Sequence, residues 1–340
     1  MRSNKKYNVA VVGAGGLVGR TMVKVLEERN FPVNELQLFA TERSAGKEIN
    51  FAGKSYKIKI INRDSFKNID IALFSAGKQA SMEAAPLAVK SNCIVVDNGS
   101  YWRMNPDVPL VVPEVNPIAA KEHRGIIANP NCSTIQLVVA LKPIQDKFGL
   151  KRVVVSTYQS ISGAGQKAVD RLLNEIGDET HQSEYKHRIA FNTVFHEFTD
   201  DSGFTIEENK MFNEIRKIMS LPELPLAVTC VRLPTLGGHG ESVNLETEKA
   251  SSVKEIRDAL QKHDGIKIID NPSEDDYPTP ALAMNTDDVY VGRIRNDTSI
   301  QNGFYLWVVS DNLRKGAATN AVQIAELIIK NDYFEFNSFL

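Results

Sequence analysis

The chain has 340 residues, of which 42% are hydrophobic and 24% are charged, and its formal net charge is −2. This composition is typical of a soluble globular protein and gives no reason to expect nucleic acid or an anionic membrane as a partner. At this length two domains are expected, because single hydrophobic cores stop growing near about 250–300 residues. No apolar run approaches the ~18–20 residues of a membrane span. The N-terminus, residues 1–6, leads into a strand without the pattern of a cleavable signal.

The cysteines indicate a reducing compartment. There are three of them, and their spacing does not suggest a metal site, so we expect a cytoplasmic protein without a bound metal ion. Cys93 and Cys230 lie inside strand-like runs and are expected to be inert core residues. Cys132 has a different setting, described below.

The first third of the chain predicts a dinucleotide-binding fold. Residues 7–12 form a continuous apolar run, as in a buried parallel strand. A glycine-rich turn follows at residues 13–19, and residues 20–29 have helical periodicity. A strand, a glycine turn and a helix in this order let a pyrophosphate approach the helix N-terminus. The alternative is a glycine-rich turn that binds nothing.

The end of the next predicted strand, residues 35–40, bears on the choice of cofactor. Enzymes that use NAD often place Asp or Glu there, to bind the ribose 2′-hydroxyl. Here Glu42, Arg43 and Ser44 follow the strand. Arg43 and Ser44 suit the 2′-phosphate of NADP through charge-assisted hydrogen bonds, whereas Glu42 suits NAD. An exposed turn without a ligand is the third possibility.

Further alternation predicts a doubly wound parallel sheet. Residues 69–77 and 93–100 each read as a strand followed by a turn, with a helix at residues 79–90 between them. Ligands bind such sheets beyond the carboxyl ends of the strands. Arg103 follows one of these ends, where it suits a phosphate or a carboxylate, or forms an ordinary surface ion pair.

The stretch Asn131-Cys132-Ser133-Thr134 predicts a nucleophile. A short apolar strand precedes it, and an apolar run ending at Pro143 indicates a buried helix that starts near Cys132. At a helix N-terminus the dipole and the unpaired N–H groups favour the thiolate, and the same N–H groups could hold an oxyanion. The alternative is a buried structural cysteine.

After residue 149 the pattern changes to strands with little helix between them, which predicts a largely antiparallel sheet. Residues 166–176 form an amphipathic helix whose apolar face includes Leu173 and Ile176, and the polar residues 177–204 hold three histidines interpreted as surface residues. Glu207 and Lys210 share a helix face, as a solvated ion pair would. His239, among glycines, is either an exposed loop residue or a histidine beside a ligand.

Taken together, these stretches resemble the aspartate-semialdehyde dehydrogenase family over nearly the whole chain. The stretches that carry the resemblance are residues 13–19, 42–46, 102–104, 111–116, 129–134, 159–165, 207–211, 232–234 with His239, and 311–313. The resemblance implies an α/β fold, with a Rossmann-type doubly wound parallel sheet plus an α+β catalytic and dimerisation domain with a largely antiparallel sheet. It places an NADP-binding domain at residues 1–130 and 313–340 and the catalytic and dimerisation domain at 131–312.

The resemblance also implies roles for individual residues. The catalytic residues would be Cys132, which forms an acyl-thioester, His239 as acid/base and Gln159, which orients the intermediate. The substrate would be bound by Arg232, Glu207 and Asn131, and its phosphate by Arg103 and Lys210. NADP would be bound by Gly13, Gly15, Gly16, Leu17, Val18, Arg43, Ser44, Ser162, Gly163 and Asn312. Gly15 departs from the family, which often has threonine there.

The activity implied by the resemblance is reversible NADPH-dependent reduction of L-aspartyl 4-phosphate to L-aspartate 4-semialdehyde and inorganic phosphate. It belongs to the synthesis of lysine, threonine, methionine and, in bacteria, diaminopimelate, and it implies a cytoplasmic homodimer. Thiolate chemistry suits this reaction, because a thiolate is both nucleophilic and a good leaving group. The alternatives are an enzyme like N-acetyl-glutamyl-phosphate reductase and a non-catalytic NADP-binding redox sensor.

Overall fold

A computed structural model of the chain describes residues 5–178, 180 and 186–338. The chain divides into two compact units, Met1–Pro130 with Ala317–Leu340 and Asn131–Gly316. The second boundary therefore follows residue 316, four positions later than the predicted boundary after residue 312. The functions predicted for the two domains stay predictions.

The secondary structure alternates in the first unit and is rich in strands in the second. The strands are β1 (Tyr7–Val12), β2 (Val33–Phe39), β3 (Glu48–Phe51), β4 (Lys54–Lys59), β5 (Ile71–Phe74), β6 (Ile94–Asp97), β7 (Ile126–Ala128), β8 (Leu150–Gln159), β9 (Val194–Phe195), β10 (Leu226–Arg232), β11 (His239–Thr247), β12 (Ile266–Ile268), β13 (Val289–Asp297) and β14 (Gly303–Ser310). The helices are α1 (Leu17–Glu28), α2 (Gly77–Lys90), α3 (Cys132–Phe148), α4 (Gln166–Gly177), α5 (Ile206–Met219), α6 (Val253–Gln261), α7 (Pro280–Ala283) and α8 (Thr319–Asn331).

The first unit contains a sheet with strand order β3-β4-β2-β1-β5-β6-β7. All neighbouring pairs within it are parallel except β3 and β4. The order runs outward from β1 in both directions, so the turn after β1 lies where ligands bind in doubly wound sheets. The α1 residues Met22, Val25 and Leu26 are fully buried, as the predicted periodicity requires. The predicted Rossmann-type sheet is confirmed.

The second unit contains a sheet with strand order β12-β13-β14-β11-β8-β10-β9. The β12–β13 and β8–β10 pairs are parallel and the other neighbouring pairs are antiparallel, which confirms the predicted largely antiparallel sheet. Along β11, His239, Glu241, Val243 and Leu245 are all fully buried, because alternate residues of a strand point to the same face.

Two helices of the second unit show what local sequence leaves open. Helix α3 continues beyond Pro143, where its apolar run ends, to Phe148, because buried residues on both sides of the proline hold the helix in the core. On α4, Leu173 and Ile176 are 50% and 47% exposed, although they belong to the predicted apolar face. Packing against the rest of the unit covers only the part of that face around Leu172, which is fully buried.

No helix in residues 5–178, 180 and 186–338 is long and apolar enough to cross a membrane. Over the same residues, no group of three or more histidine, cysteine or acidic side chains is arranged to hold a metal ion.

Candidate active site

The glycine turn of the first unit presents an open helix N-terminus. The Gly16 N–H donates to the Gly13 carbonyl over 3.0 Å, which closes the turn before α1. Gly16 is the N-cap of α1 and has no side chain that could accept from the first N–H groups of the helix. The backbone N–H groups of Leu17 and Val18 can therefore donate to a ligand. A pyrophosphate fits such a site, because the N–H groups and the helix dipole both favour an anion.

The structure explains the unusual Gly15. A Cβ atom added there would lie 2.4 Å from Ser44 Oγ, so Ser44 fills the space in which another residue would place its side chain. Ser44 and Arg43 belong to a short 3-10 helix, Glu42–Ser44, that follows β2. A larger residue than glycine at position 15 would therefore have to displace Ser44. Arg43 lies next to it, on the side where the adenosine ribose of a Rossmann fold binds.

Arg103 lies in the loop after β6, also in the first unit. Its side chain is only 7% exposed, and its Nη2 donates to the Asn98 carbonyl over 2.8 Å. Of the two interpretations of Arg103, a residue that binds a phosphate or carboxylate and a surface ion-pair residue, the second does not agree with this burial. The nearby Asp97 is fully buried, and burial raises the pKa of its carboxyl despite hydrogen bonds from Gly99 and Ser81 and the charge of Arg103.

In the second unit, Cys132 is the first residue of α3, as predicted. Asn131 is the N-cap: its Oδ1 accepts from the N–H groups of Ser133 and Thr134 over 3.0 and 3.2 Å. Those two N–H groups are therefore occupied, and the prediction that they could hold an oxyanion is wrong. The helix dipole still favours a thiolate at Cys132, which is partly exposed. Burial raises the pKa of the thiols of Cys93 and Cys230, as expected of inert core cysteines.

Glu207, near the start of α5, connects several of the predicted site residues. Its Oε1 accepts from Asn131 Nδ2 over 2.7 Å and from Gln159 Nε2 over 3.3 Å, and its Oε2 pairs with Lys210 Nζ at 3.1 Å. Glu207 is 7% exposed, so this is not the solvated ion pair that helix spacing alone favoured. Burial acts to raise the pKa of Glu207, but Lys210, His196 and Asn131 outweigh it and lower the pKa to about 2. The carboxylate is therefore charged at neutral pH.

Strand pairing brings Gln159, Arg232 and His239 together. Gln159 and Arg232 are the last residues of the neighbouring parallel strands β8 and β10, and they are register partners. His239 begins β11, on the other side of β8, and is also a register partner of Gln159. A Cβ atom added to Gly163 would lie 3.4 Å from both Arg232 Nη1 and His239 Nε2, so the Gly163 backbone closely approaches both side chains.

The ring of His239 is fully buried and is held from one side. Its Nδ1 accepts from the Ser160 N–H over 3.0 Å, so the neutral ring carries its hydrogen on Nε2. Nε2 has no hydrogen-bond partner within the described residues, and it points toward Gly163. Burial, followed by the charge of Arg232, lowers the pKa of His239 to about 3. Of the two predicted settings, the exposed loop is wrong, and the position beside a potential ligand space agrees with the geometry.

Ser162 and Asn312 form an internal network in the second unit. Asn312 Oδ1 accepts from the Gly238 N–H over 3.0 Å, and Asn312 Nδ2 donates to Ser162 Oγ over 3.1 Å. Ser160 Oγ lies 3.0 Å from Ser162 Oγ and 3.3 Å from His239 Nδ1. These residues fix the loop around His239. The cofactor contacts predicted for Ser162, Gly163 and Asn312 stay predictions.

Sequence reasoning missed two residues beside this site. His196, interpreted as a surface residue, is partly buried: its Nδ1 lies 3.4 Å from the Cys230 carbonyl, and burial and the charge of Arg232 lower its pKa. Glu241 is fully buried two residues after His239. A signal for Glu241 existed, because it alternates with Val243 and Leu245 on the buried face of β11, where a charged residue is unusual.

Comparison with known families agrees with this arrangement. The profile of the semialdehyde dehydrogenase NAD binding domain matches residues 8–123, and that of the semialdehyde dehydrogenase dimerisation domain matches residues 141–315, just over half of the chain. The two matches, together with the fold, define an oxidoreductase that uses a nicotinamide cofactor and whose second domain is of a dimerising type.

The relatives narrow this class further. The aspartate-semialdehyde dehydrogenase of Aquifex aeolicus is 56% identical over 334 residues, covering 95% of this chain and 98% of the relative. That of Bacillus subtilis is 48% identical, covering 95% and 97%. A crystal structure of aspartate semialdehyde dehydrogenase II from Vibrio cholerae, complexed with ASA, superimposes with a TM-score of 0.93 at 46% identity, covering 96% and 99%. The chain belongs to the aspartate-semialdehyde dehydrogenase family.

Proposed function

We propose that the protein catalyses the reversible NADPH-dependent reduction of L-aspartyl 4-phosphate to L-aspartate 4-semialdehyde and inorganic phosphate. The reaction would proceed through an acyl-thioester on Cys132 and would serve the synthesis of lysine, threonine, methionine and diaminopimelate in the cytoplasm. The observation that carries the proposal is the position of Cys132 at the start of α3, where the N-cap Asn131 also binds the charged Glu207. The residue that adjoins the proposed nucleophile thus contacts the anion that would bind an ammonium group.

The proposed division of the substrate follows from the charges. Glu207 is ionised and buried, which suits the α-amino group of an aspartyl substrate. Arg232 has a forked guanidinium that can bind the α-carboxylate in a bidentate manner. Lys210 and Arg103 would bind the phosphate. Asn131 would contribute through its remaining N–H, since its other polar atoms are already occupied.

The bonds formed and broken are as follows. In the reducing direction, the Cys132 thiolate attacks the acyl carbon, the carbon–oxygen bond to the phosphate breaks, and phosphate leaves. NADPH, when bound, supplies the hydride that reduces the thioester carbonyl carbon. The resulting hemithioacetal oxyanion collapses, the carbon–sulfur bond breaks, and the aldehyde and the thiolate are released. Gln159 would hold the acyl oxygen through its amide, which already lies next to Glu207.

His239 would be the acid/base of this sequence. In its neutral form Nδ1 accepts from the Ser160 N–H, so Nε2 carries the hydrogen and can donate a hydrogen bond to the hemithioacetal oxygen, which stabilises the oxyanion without transfer of the proton. The low pKa keeps the ring neutral, and so in this donating form, near neutral pH. To accept a proton, Nε2 must be free and the ring hydrogen must lie on Nδ1. The Ser160 N–H would then have to release Nδ1, and the Ser160 hydroxyl, 3.3 Å away, would accept that hydrogen.

We also propose that the cofactor is NADP rather than NAD. Support comes from Ser44, which packs against Gly15 at the glycine turn, and from the adjacent Arg43, whose guanidinium suits a 2′-phosphate. Glu42 begins the same 3-10 helix and is the residue that would favour NAD.

The proposed assembly is a homodimer formed through the second unit. Large apolar side chains are exposed between α4 and α5, and Phe191, Phe195 and Phe198 are 82%, 57% and 61% exposed. Exposed apolar clusters of this kind mark interaction surfaces. The unit that bears them matches a dimerisation domain.

The test is phosphate-dependent reduction of NADP with L-aspartate 4-semialdehyde. We expect turnover that requires phosphate and is much weaker with N-acetyl-glutamate semialdehyde, which lacks a free ammonium group for Glu207. Preference for the acetylated substrate would favour the reductase alternative. Cofactor binding without turnover of either substrate would favour the redox-sensor alternative.

A further inference from the structure

Glu241 is a buried acidic residue that the proposed reaction does not use. It lies on β11, two residues after His239, and is fully buried. Both of its carboxyl oxygens lack a hydrogen-bond partner of ordinary geometry in the part of the chain that the structure describes. No ion pair within these residues involves Glu241. A buried carboxylate without a counter-charge is very costly, whereas the protonated acid is not.

Two polar side chains next to the Glu241 carboxyl group lie on the first turns of α3. They are Ser133, which directly follows the proposed nucleophile, and Gln136. Ser133 Oγ and Gln136 Oε1 are also buried without hydrogen-bond partners within the described residues. Gln136 reaches β11 as well, since its Nε2 donates to the His239 carbonyl over 3.5 Å. Polar atoms of α3 and β11 that lack hydrogen-bond partners within the described residues thus lie around the Glu241 carboxyl group.

A protonated carboxyl group suits these surroundings better than a carboxylate. It has an O–H to donate and a carbonyl oxygen that accepts, and it faces a hydroxyl and an amide that can each do the same. Burial raises the pKa of Glu241 well above its usual value, while the side chains of Gln136 and Ser133 act weakly in the opposite direction.

We propose that Glu241 is a positioning residue, which acts as an uncharged acid and fixes the helix turn bearing Cys132 against the strand bearing His239. This inference rests on the proposed function. Glu241 does not touch the reacting atoms, but Ser133 adjoins Cys132 in the chain and Gln136 contacts the His239 backbone. Small displacements between a nucleophile and its acid/base are expensive, so a contact that sets their spacing affects turnover more than substrate affinity.

The experiment compares Glu241→Gln with Glu241→Met in the full-length protein. Glutamine has the shape and neutrality of the protonated acid, whereas methionine has a similar length and no hydrogen-bonding groups. We expect Glu241→Gln to retain most of the turnover. Glu241→Met should lower kcat roughly 10- to 100-fold, as expected for misplaced reacting groups. It should change KM for the semialdehyde by less than about threefold.

A second readout does not depend on turnover. Iodoacetamide alkylation of Cys132, followed by peptide mass spectrometry, should be slowed by Glu241→Met and not by Glu241→Gln. Cys93 and Cys230 are buried and serve as internal references. Ser242→Ala is the matched control, because Ser242 is the next residue on β11 and points to the opposite face.

A third readout is the pH dependence of stability. The pKa of Glu241 is raised in the folded state, so its favourable contribution is complete below the unfolded value of about 4.3 and declines as the pH rises toward the folded value. Glu241→Gln lacks this decline. The unfolding temperature of the variant, relative to that of the wild type, should therefore rise between about pH 5 and 8. The titratable groups on the surrounding elements are present in both proteins; they are Cys132, Glu207, Glu208, Cys230 and His239. The charge of Glu241 acts on the Cys230 thiol, whose pKa is raised, so this thiol stays protonated over the pH range of the comparison.

Each result has a defined consequence. If Glu241→Gln were as impaired as Glu241→Met, a charged carboxylate would be required, and the proposal would be wrong. If Glu241→Met alkylated and turned over like the wild type, Glu241 would not position Cys132. Inactivity of the wild type with aspartate semialdehyde would instead overturn the proposed function, while the alkylation and stability comparisons would still decide the role of Glu241.

Discussion

Replacing Glu207 by glutamine tests the proposed division of the substrate site. The glutamate accepts from Asn131 and Gln159 on one oxygen and pairs with Lys210 on the other. In Glu207→Gln the amide oxygen can keep the first two contacts, and its NH2 group then faces Lys210, donor against donor. The variant therefore removes one negative charge while preserving the side of the carboxylate that contacts Asn131.

The magnitude follows from what is lost. A charge-assisted hydrogen bond to the substrate ammonium contributes about 1.5–3 kcal/mol, which corresponds to roughly 10- to 100-fold in kcat/KM. The structural cost is moderate, because the Lys210 side chain is 31% exposed and can be solvated when it loses its partner. Since the pKa of Glu207 is about 2, the wild-type carboxylate is charged throughout the usual assay range. The ratio of kcat/KM between the wild type and Glu207→Gln should therefore not vary between about pH 6 and 9.

The assay compares aspartate semialdehyde with a semialdehyde of the same chain length that lacks the amino group. We expect kcat/KM for the aminated substrate to fall 10- to 100-fold and that for the des-amino analogue to change by less than about threefold. Glu223→Gln, an exposed change of the same kind in the same unit, should leave both values unchanged. Equal losses for the two substrates would show that Glu207 supports the fold of the site and does not bind the amino group.

Three further predictions concern the nucleophile, the cofactor and the anion sites. Cys132→Ala should abolish turnover and leave NADP binding near normal, whereas Cys93→Ala should affect only the packing of the core. Substantial activity of Cys132→Ala in the steady-state assay would exclude the thioester. Arg43→Ala should weaken the binding of NADP roughly 10- to 100-fold and the binding of NAD much less, because a charge-assisted hydrogen bond of about 1.5–3 kcal/mol is lost. Binding titrations with both cofactors check this, and equal losses of affinity would contradict it. Arg103→Leu should raise KM most for phosphate, and Arg232→Leu should raise KM most for the semialdehyde. The ratio of the two KM values, unlike absolute rates, separates the two sites, and the same ratio in both variants would exclude separate phosphate and carboxylate sites.

The parts of this protein that were predictable from sequence are those with a local physical signal. The apolar run before the glycines predicts β1, and the start of α3 at Cys132 follows from the polar residues that precede its apolar run. The alternation of strands and helices gives the doubly wound sheet for the same reason.

The features that could not be predicted depend on tertiary packing. Helix α3 passes through Pro143 because buried neighbours outweigh the lost hydrogen bond, and no local rule contains those neighbours. His239 stands among glycines, but strand pairing with Gln159 buries it completely. His196 lies in a polar stretch and is nevertheless partly buried beside Cys230. In each case the deciding contact comes from an element far away in the sequence.

Asn131 connects the cap of α3 to the proposed substrate-binding residue Glu207. Its Oδ1 stabilises the first turn of α3 and so maintains the helix dipole at Cys132, while its Nδ2 binds Glu207 over 2.7 Å. Any movement of the Glu207 carboxylate toward a substrate ammonium therefore pulls on the group that caps the nucleophile helix. Since one Nδ2 hydrogen remains, Asn131 can also bind the substrate without releasing either contact. If Glu207 binds the substrate amino group as proposed, we expect its occupation to be transmitted through the Asn131 side chain to the first turn of α3.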